Sequence, residues 1–215
     1  AVLLNGCECE PYLTADHHLL LNFADDIVFG LQAMMKAVDA PKGIIVIEDN
    51  KPDAVELLQS KVAGIEGLEV VVAKTKYPQG AEKILIYNTT GRIVPEGGLP
   101  SDVGTIVMNV TTIAFLAKYI ETGMPLVEKC VTVDGSAVAE PKNLIVPVGT
   151  SVEEVILAAG GYKCDPGKIL FGGPMMGLAI CGTDAPICKQ NNAILAFEDR
   201  KDLIKKERAC IRCGR

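Results

Sequence analysis

Short runs of apolar, β-branched residues alternate with amphipathic stretches from residue 1 to about residue 125. Four of these runs are predicted to be strands, because each is rich in Val, Ile or Leu on both faces: residues 2–4, 43–47, 68–72 and 105–108. Strands that are apolar on both faces are covered by helices on both sides. The pattern therefore predicts an α/β unit with a mostly parallel sheet.

Two stretches between these strands have the period of an amphipathic helix. Over residues 24–38, the side chains of Ile27, Leu31, Met34, Met35 and Val38 fall on one face, which predicts that both methionines pack in the core. A second helix is predicted to begin near residue 50, with a proline at its first turn, and to end before residue 64.

The pattern of predicted elements changes after about residue 125. Shorter strands are predicted at residues 127–133, 144–148 and 168–171, with a helix at residues 151–159 that begins with a capping sequence. These elements indicate a second, smaller unit of α+β type. The Gly-Gly-Pro-Met-Met-Gly segment at residues 172–177 is predicted to be a loop whose glycines permit a tight turn or a close backbone approach.

Composition excludes several classes of protein. The 215 residues are 49% hydrophobic with a net charge of −6, which is typical of a globular protein and gives no general attraction to nucleic acid. The apolar runs are much shorter than the roughly 20 residues of a membrane-spanning helix. Because the apolar fraction already supplies a core, we expect the eight cysteines to be thiols in a reducing cytoplasm rather than a disulfide scaffold.

Three polar segments follow predicted strands of the first unit: residues 5–11, 77–83 and 109–112. Open α/β sheets bind ligands at the carboxyl ends of their strands, so these segments are predicted to form one pocket. Each segment taken alone is equally well explained as a helix cap or turn. The carboxylates of Glu8 and Glu10 suit a ligand with hydroxyl groups, such as a ribose, or else face water.

The cysteine spacings point to different chemistry at the two ends of the chain. Cys7 and Cys9 are flanked by carboxylates and lie far from other cysteine pairs, which disfavours a metal site. Cys210 and Cys213 have the C-x-x-C spacing of iron–sulfur ligands, but two thiolates do not complete a four-cysteine cluster. The chain begins within a strand and stops just after this motif, so we expect it to be a piece of a longer protein.

Five motifs occur in an order that resembles RnfC, a family of electron-transport complex proteins. They are Asn-Gly-x-Glu-Cys-Glu-Pro-Tyr-Leu-Thr at 5–14, Tyr-Pro-Gln-Gly-Ala-Glu-Lys at 77–83, Asn-Val-x-Thr at 109–112, Gly-Gly-Pro-Met-Met-Gly at 172–177 and Cys-Ile-Arg-Cys-Gly-Arg at 210–215. RnfC is similar in turn to the flavin-bearing subunit of respiratory complex I. The resemblance implies a Rossmann-like FMN- and NADH-binding domain at residues 1–125 and a β-grasp SLBB domain at 126–178. Residues 179–215 would be a return segment and a linker into a truncated iron–sulfur domain.

The resemblance also implies a role for individual residues. Asn5, Glu8 and Cys9 would lie along the flavin, and Glu8 and Glu10 would contact the nicotinamide nucleotide. Tyr77 would cover the ring region of the flavin. The other residues implied along the flavin are Gly80, Glu82, Asn109 and Thr112, and the implied first ligands of a [4Fe-4S] cluster are Cys210 and Cys213.

The function implied by the resemblance is electron transfer. The chain would be part of an NADH-interacting, FMN- and iron–sulfur-dependent subunit of a membrane-associated Rnf ion-translocating complex, an NAD:ferredoxin oxidoreductase. It would lie on the cytoplasmic face of the membrane, in contact with membrane subunits and with the ferredoxin-facing iron–sulfur subunit.

Three expectations qualify this function. The family's glycine-rich loop would precede residue 1, so we expect this chain alone to be inactive and free of FMN and cluster. One alternative function is that of an RnfC-like electron-transfer protein for corrinoid or proline reduction, because such proteins share these motifs. A non-catalytic docking scaffold with a vestigial flavin site is the alternative from a different class.

Overall fold

The computed structural model describes residues 1–200 and residue 209, so Cys210 and Cys213 lie outside the described residues. The strands are β1 (Val2–Gly6), β2 (Gly43–Glu48), β3 (Leu68–Ala73), β4 (Ile106–Asn109), β5 (Glu128–Asp134), β6 (Lys142–Pro147), β7 (Pro166–Phe171), β8 (Leu178–Ile180) and β9 (Ala193–Glu198). The helices are α1 (Ala15–Asn22), α2 (Ala24–Ala37), α3 (Pro52–Val62), α4 (Glu82–Thr90), α5 (Val110–Thr122) and α6 (Val152–Ala158), with a 3₁₀ turn at Pro100–Val103.

The first unit is built on a four-stranded parallel sheet with the strand order β3-β2-β1-β4. In the central strand β1, Val2, Leu3 and Leu4 are fully buried, and every residue of β2 is buried. These strands are therefore covered on both faces, as their apolar sequences predict. The predicted parallel α/β fold is confirmed, with strand ends that differ by one or two residues from those predicted.

Helices α2 and α5 pack closely against each other on one face of this sheet. Ile27 and Leu31 of α2 are fully buried there, and Met34 and Met35 pack partly buried against the same core. Gly30 permits the close approach, because a Cβ atom at this position would lie 2.4 Å from the carbonyl oxygen of Ile113 in α5. Helix α4 covers the opposite face through Leu85 and Ile86.

The second unit is a five-stranded mixed sheet in the order β6-β5-β9-β7-β8, packed against α6. Strand β9 is parallel to β5 and antiparallel to β7. Ser151 caps α6 as predicted: its hydroxyl accepts a bond from the backbone N–H of Glu154, whose carboxylate accepts from the N–H and the hydroxyl of Ser151.

Several elements were not predicted from the sequence. Strands β8 and β9 continue the second sheet beyond residue 178 to Glu198, so the predicted return segment is part of this sheet. Residues 193–196 of β9 are buried, so they form the interior of the unit rather than a linker. Helix α1 was not predicted, and it buries Ala15, Leu19 and Leu20.

The loop after β1 and the start of α1 pack directly on the second sheet. The hydroxyl of Thr132 in β5 accepts bonds from the backbone N–H groups of Thr14, at 3.2 Å, and Ala15, at 3.1 Å. The rings of Tyr12 and Phe197 meet edge to face with their centroids 5.1 Å apart. The second unit therefore holds the segment that leads away from the carboxyl end of β1.

Among the described residues, no helix is both long enough and apolar enough to cross a membrane.

Candidate functional site

The first sheet has a topological switch point between β1 and β4. From β1 the chain passes to β2 and β3 on one side, whereas β4 pairs on the other side. Crevices at the carboxyl ends of strands on either side of such a point are the usual ligand sites of open α/β folds. The register places Asn5 of β1 opposite Asn109 of β4 at this edge.

Asn5 joins the end of β1 to the segment that follows β3. Its side-chain nitrogen Nδ2 donates to the carbonyl oxygen of Gly80 at 2.9 Å, and its Oδ1 accepts from the backbone N–H of Cys7 at 3.1 Å. An amide side chain has two N–H donors and two acceptor lone pairs, so Asn5 keeps one of each for another partner. The segments at residues 5–11 and 77–83 are therefore in contact.

Gly80 permits this contact because there is no room for a side chain. A Cβ atom there would lie 2.6 Å from the carbonyl oxygen of Cys7 and 3.1 Å from the Sγ atom of Cys9. Cys7 itself is buried, and burial raises the pKa of its thiol to about 12. Its side chain belongs to the core beneath the crevice, with the apolar residues that α4 covers.

Glu8 faces inward and serves as a substitute cap for α1. The N-cap residue Thr14 makes no side-chain capping bond, whereas Oε1 of Glu8 accepts from the backbone N–H of Asp16 at 2.9 Å. Burial, reinforced by the negative charge of Asp16, raises the pKa of Glu8 to about 7. This carboxyl group is therefore poised to gain or lose a proton near neutral pH.

Asp16 links α1 to the start of α5 through hydrogen bonds. Its carboxylate accepts from Nδ2 of Asn109 at 2.8 Å and from the hydroxyl of Thr111 at 3.2 Å. Asn109 also caps α5, since its Oδ1 accepts from the backbone N–H of Thr111 at 2.8 Å. Burial raises the pKa of Asp16, although these two hydrogen bonds oppose the shift.

Lys51 supplies a buried positive charge beside these acids. The residue is 7% exposed, and its Nζ lies 3.6 Å from Oε2 of the buried Glu48. Burial raises the pKa of Glu48, while the Lys51 ammonium acts to lower it and also to lower the pKa values of Cys7 and Glu8. Lys51 follows the carboxyl end of β2, so its charge belongs to the same edge of the sheet.

Glu10 is held from the second unit rather than from the first. The backbone N–H of Met175 donates to its Oε2 at 2.9 Å, and the N–H of Met176 donates to its Oε1 at 3.0 Å. The 172–177 segment is a loop, as predicted, and it makes its close approach at Gly173, where a Cβ atom would lie 2.4 Å from Oε2 of Glu10. Two units of the fold therefore meet at this carboxylate.

Three of the predicted residues lie at the rim. Tyr77 is 64% exposed. Glu82 and Thr112 are exposed in the first turns of α4 and α5. Their side chains are accessible to a ligand or to solvent.

The sequence patterns missed several groups that the structure brings to this edge: Asp16, Lys51 and the amides of Met175 and Met176. The Lys-Pro sequence indicated that Lys51 lies at the start of α3, but it did not indicate that Lys51 is buried. Within the described residues, no group of three or more His, Cys, Asp or Glu side chains is placed to hold a metal ion. Among the described residues, this edge carries amides, hydroxyls and carboxylates, with the ammonium groups of Lys51 and Lys129 near Asp16.

Family models match both units. The Nuo51 FMN-binding domain matches residues 1–118, which is more than half of the chain. The chain belongs to this family. The SLBB domain matches residues 130–179, within the second unit.

Curated relatives match over nearly the whole chain. It is 47% identical, over 99% of its length, to the C subunit of the proton-translocating ferredoxin:NAD(+) oxidoreductase complex of Clostridium ljungdahlii. It is 46% identical, over 100% of its length, to the C subunit of the Na(+)-translocating ferredoxin:NAD(+) oxidoreductase complex of Acetobacterium woodii. The resemblance to RnfC is thereby confirmed. The chain spans 46% and 48% of the lengths of these two relatives.

A solved structure shares the fold. A chain of the air-oxidized NAD+-reducing [NiFe]-hydrogenase matches with a TM-score of 0.74 and 22% identity, over 94% of this chain and 40% of the hydrogenase chain. With the two family models, this match confirms the predicted fold class of a flavoprotein-type α/β domain followed by an SLBB domain.

Proposed function

We propose that the crevice at the switch point binds FMN and NADH, and that the chain is the nucleotide-binding part of an electron-transfer subunit of an Rnf-type ferredoxin:NAD oxidoreductase complex. One observation carries the proposal. Polar residues at or beyond the ends of β1, β3 and β4, all within the range that the FMN-binding domain matches, are joined at one edge of the sheet. The joining hydrogen bonds run from Asn5 to Gly80 and from Asn109 to Asp16.

The groups at this edge fit a flavin nucleotide. Asn5 keeps a free amide hydrogen and a free lone pair, and Thr112 is exposed in the first turn of α5. The first backbone N–H groups of α5 and the ammonium of Lys51 favour negative charge on a ligand. Asn5, Cys9, Gly80, Glu82, Asn109 and Thr112 would hold the cofactor, with Tyr77 over its ring region.

The chemistry belongs to the cofactor, and the protein positions it. The residues named above would hold and orient FMN, which would supply hydride exchange with NAD(H) and one-electron exchange with an iron–sulfur group. Glu10 is our choice for the contact to the nicotinamide nucleotide, because its fixed carboxylate can accept bonds from ribose hydroxyls or from a carboxamide. Glu8 lies deeper, where it holds the same segment against α1.

The rest of the assembly is proposed from the relatives. The names of the two relatives describe ion-translocating ferredoxin:NAD(+) oxidoreductase complexes. We infer that Cys210 and Cys213 are ligands of a [4Fe-4S] cluster in the longer protein. We also infer that the protein docks, on the cytoplasmic side of the membrane, onto membrane subunits and onto an iron–sulfur subunit that faces ferredoxin.

The experiment is a spectroscopic titration of the full-length protein. FMN is added anaerobically to the apoprotein while flavin fluorescence is followed, and NADH is then added while flavin absorbance is recorded. We expect saturable quenching and bleaching by NADH. Absence of FMN binding would favour the docking scaffold, and bound FMN that NADH leaves oxidised would favour a corrinoid or proline reductase type of partner.

Two threonines of α5 give a matched pair of variants for this titration. Thr112 lies in the first turn, at the crevice, and Thr122 lies in the last turn, away from it; both are exposed. Thr112→Val is expected to weaken FMN binding by about fivefold to tenfold, the value of one hydrogen bond of about 1 kcal/mol. Thr122→Val is expected to leave the FMN dissociation constant unchanged, and equal effects of both variants would contradict the placement of the flavin.

A further inference from the structure

The loop at residues 172–177, here called the glycine loop, presents two backbone amides to a carboxylate of the other unit. The N–H groups of Met175 and Met176 each donate to one oxygen of Glu10. The side chains of these methionines are 50% and 88% exposed, so the contact belongs to the backbone.

We propose that the glycine loop is a positioning element of the nucleotide site, which fixes the carboxylate of Glu10 for the NADH-binding step. The inference rests on the proposed function, in which Glu10 contacts the nicotinamide nucleotide. It assigns the second unit a direct part in NADH affinity rather than a docking role alone.

Two backbone hydrogen bonds hold the glycine loop in its conformation. Its ends are closed on each other by a bond from the N–H of Gly177 to the carbonyl oxygen of Gly173 at 2.8 Å. The loop is anchored to the sheet by a bond from the N–H of Gly172 to the carbonyl oxygen of Ala193 at 2.8 Å. Donors held this way keep their direction without the loss of side-chain entropy that a flexible lysine or arginine would incur.

The contact leaves Glu10 free to bind a ligand. A carboxylate offers about four lone-pair positions, and the loop occupies one on each oxygen. The remaining positions have a fixed orientation, because the two donors act as a fork. A preorganised acceptor of this kind increases ligand affinity by removing the cost of ordering the side chain on binding.

The loop can approach the Glu10 carboxylate this closely only because residue 173 is a glycine. A Cβ atom at Gly173 would lie 2.4 Å from Oε2 and 2.5 Å from Cδ of Glu10, well inside van der Waals contact. Gly173→Ala therefore displaces the carboxylate while keeping both donors. Met176→Pro removes one of the two donors, so the carboxylate is held by a single bond and loses its fixed orientation.

The test uses full-length, FMN-loaded protein and compares Met176→Pro with Met176→Ala. The alanine variant keeps the backbone N–H and changes only an exposed side chain, so it is the matched control. We expect Met176→Pro and Gly173→Ala to raise the KM for NADH and the calorimetric dissociation constant for NAD+ by about tenfold, with kcat toward ferricyanide and the FMN dissociation constant unchanged. Met176→Ala should stay within twofold of the wild type in all four.

A double-mutant cycle separates positioning from a structural effect. If the loop acts through Glu10, adding Gly173→Ala to Glu10→Ala should raise the KM no further. A loop that only stabilises the fold would give additive effects. Hydrogen exchange supplies a readout without ligand, since the amides of Met175 and Met176 should exchange about tenfold faster in Glu10→Ala.

The outcomes distinguish this inference from the proposed function. If Glu10→Ala leaves NADH binding unchanged, the proposed contact of Glu10 with the nucleotide is wrong. If Glu10→Ala raises the KM while both Gly173→Ala and Met176→Pro leave it unchanged, the contact stands and the positioning role of the glycine loop is wrong. Should the proline variant fail to fold, the alanine variant at Gly173 decides the question.

Discussion

At the scale of single residues, Glu8 shows how the site depends on local helix chemistry. Because Thr14 does not cap α1 with its side chain, the carboxylate of Glu8 accepts the backbone N–H of Asp16 instead. Glu8 is also close to the charge of Asp16 and is partly removed from water, and both effects penalise its ionised form. The segment between β1 and α1 is therefore sensitive to the protonation of one side chain.

We predict that Glu8→Gln changes the pH dependence of stability. The pKa of Glu8 in the folded state is about 7, above its ordinary value of 4.5, so between these values the folded state binds more protons than the unfolded state. The stability that Glu8 contributes is full below pH 4.5 and is lost as the pH rises through 7. Glutamine keeps an acceptor for the amide and does not titrate. The urea midpoint of the wild type, relative to that of Glu8→Gln, should fall between pH 5 and 8; a constant difference would contradict the prediction.

The residues of the site differ in how far the sequence predicted them. Asn5 and Asn109 lie at the ends of β1 and β4, and Gly80 follows β3. Strand ends of a parallel sheet share one edge, so the convergence of these segments was predictable from pattern alone. The bonds of Asp16 and the burial of Lys51 depend on how α1 and β2 pack. No local signal in the sequence specifies such partners.

At the scale of elements, the close crossing of α2 and α5 places the start of α5 at the crevice. Gly30 faces the backbone of Ile113, one turn into α5, with no space for a Cβ atom. Because Asn109 and Thr112 lie at this end of α5, the separation of the two helices sets their position relative to β1.

We predict that Gly30→Ala destabilises the first unit, against the usual preference for alanine in helices. Alanine is favoured over glycine by about 1 kcal/mol in a helix interior. A Cβ atom 2.4 Å from the carbonyl oxygen of Ile113 would force the helices apart, and overpacking of this kind costs about 1–3 kcal/mol. The free energy of unfolding in urea should therefore fall by up to about 2 kcal/mol, the overpacking cost less the gain in helix propensity.

Ala33→Gly on the same helix is the control for this prediction, because at this half-buried position it measures the propensity term with the loss of only one methyl group. If Gly30→Ala raised the free energy of unfolding by as much as Ala33→Gly lowered it, helix propensity and not packing would determine the effect of the substitution at Gly30.

The missed elements have a common physical reason. Helix α1 has its buried residues, Ala15, Leu19 and Leu20, beside two histidines in a short segment, so its helical period is weak. Strand β9 is a short apolar run, a pattern that a buried helix segment shares. Tertiary contacts, rather than the local sequence pattern, stabilise both elements. Helix α1 lies against the first sheet, and β9 pairs with β5 on one side and β7 on the other.

At the scale of the whole molecule, the second unit closes over the segment that carries the site. Thr132 is 2% exposed, and its hydroxyl accepts from two amides at the start of α1 while it donates to Oδ1 of Asn143 at 2.7 Å. Glu10 meets the glycine loop a few residues earlier in the same segment. The peptide between β1 and α1 is thus bound to the second unit at two points. The packing of the two units therefore determines the geometry of the site.

We predict that Thr132→Val uncouples the two units. Valine has nearly the same shape, but it leaves the amides of Thr14 and Ala15 without their acceptor, and each unsatisfied buried group costs about 1–3 kcal/mol. Calorimetry of the full-length protein should show the transition that contains the first unit move down by several degrees, about 2–4 °C per kcal/mol, away from that of the second. Thr132→Ser keeps the hydroxyl and should unfold at nearly the wild-type temperature. An unshifted transition in the valine variant would mean that Tyr12, Phe197 and Glu10 suffice to hold the units together.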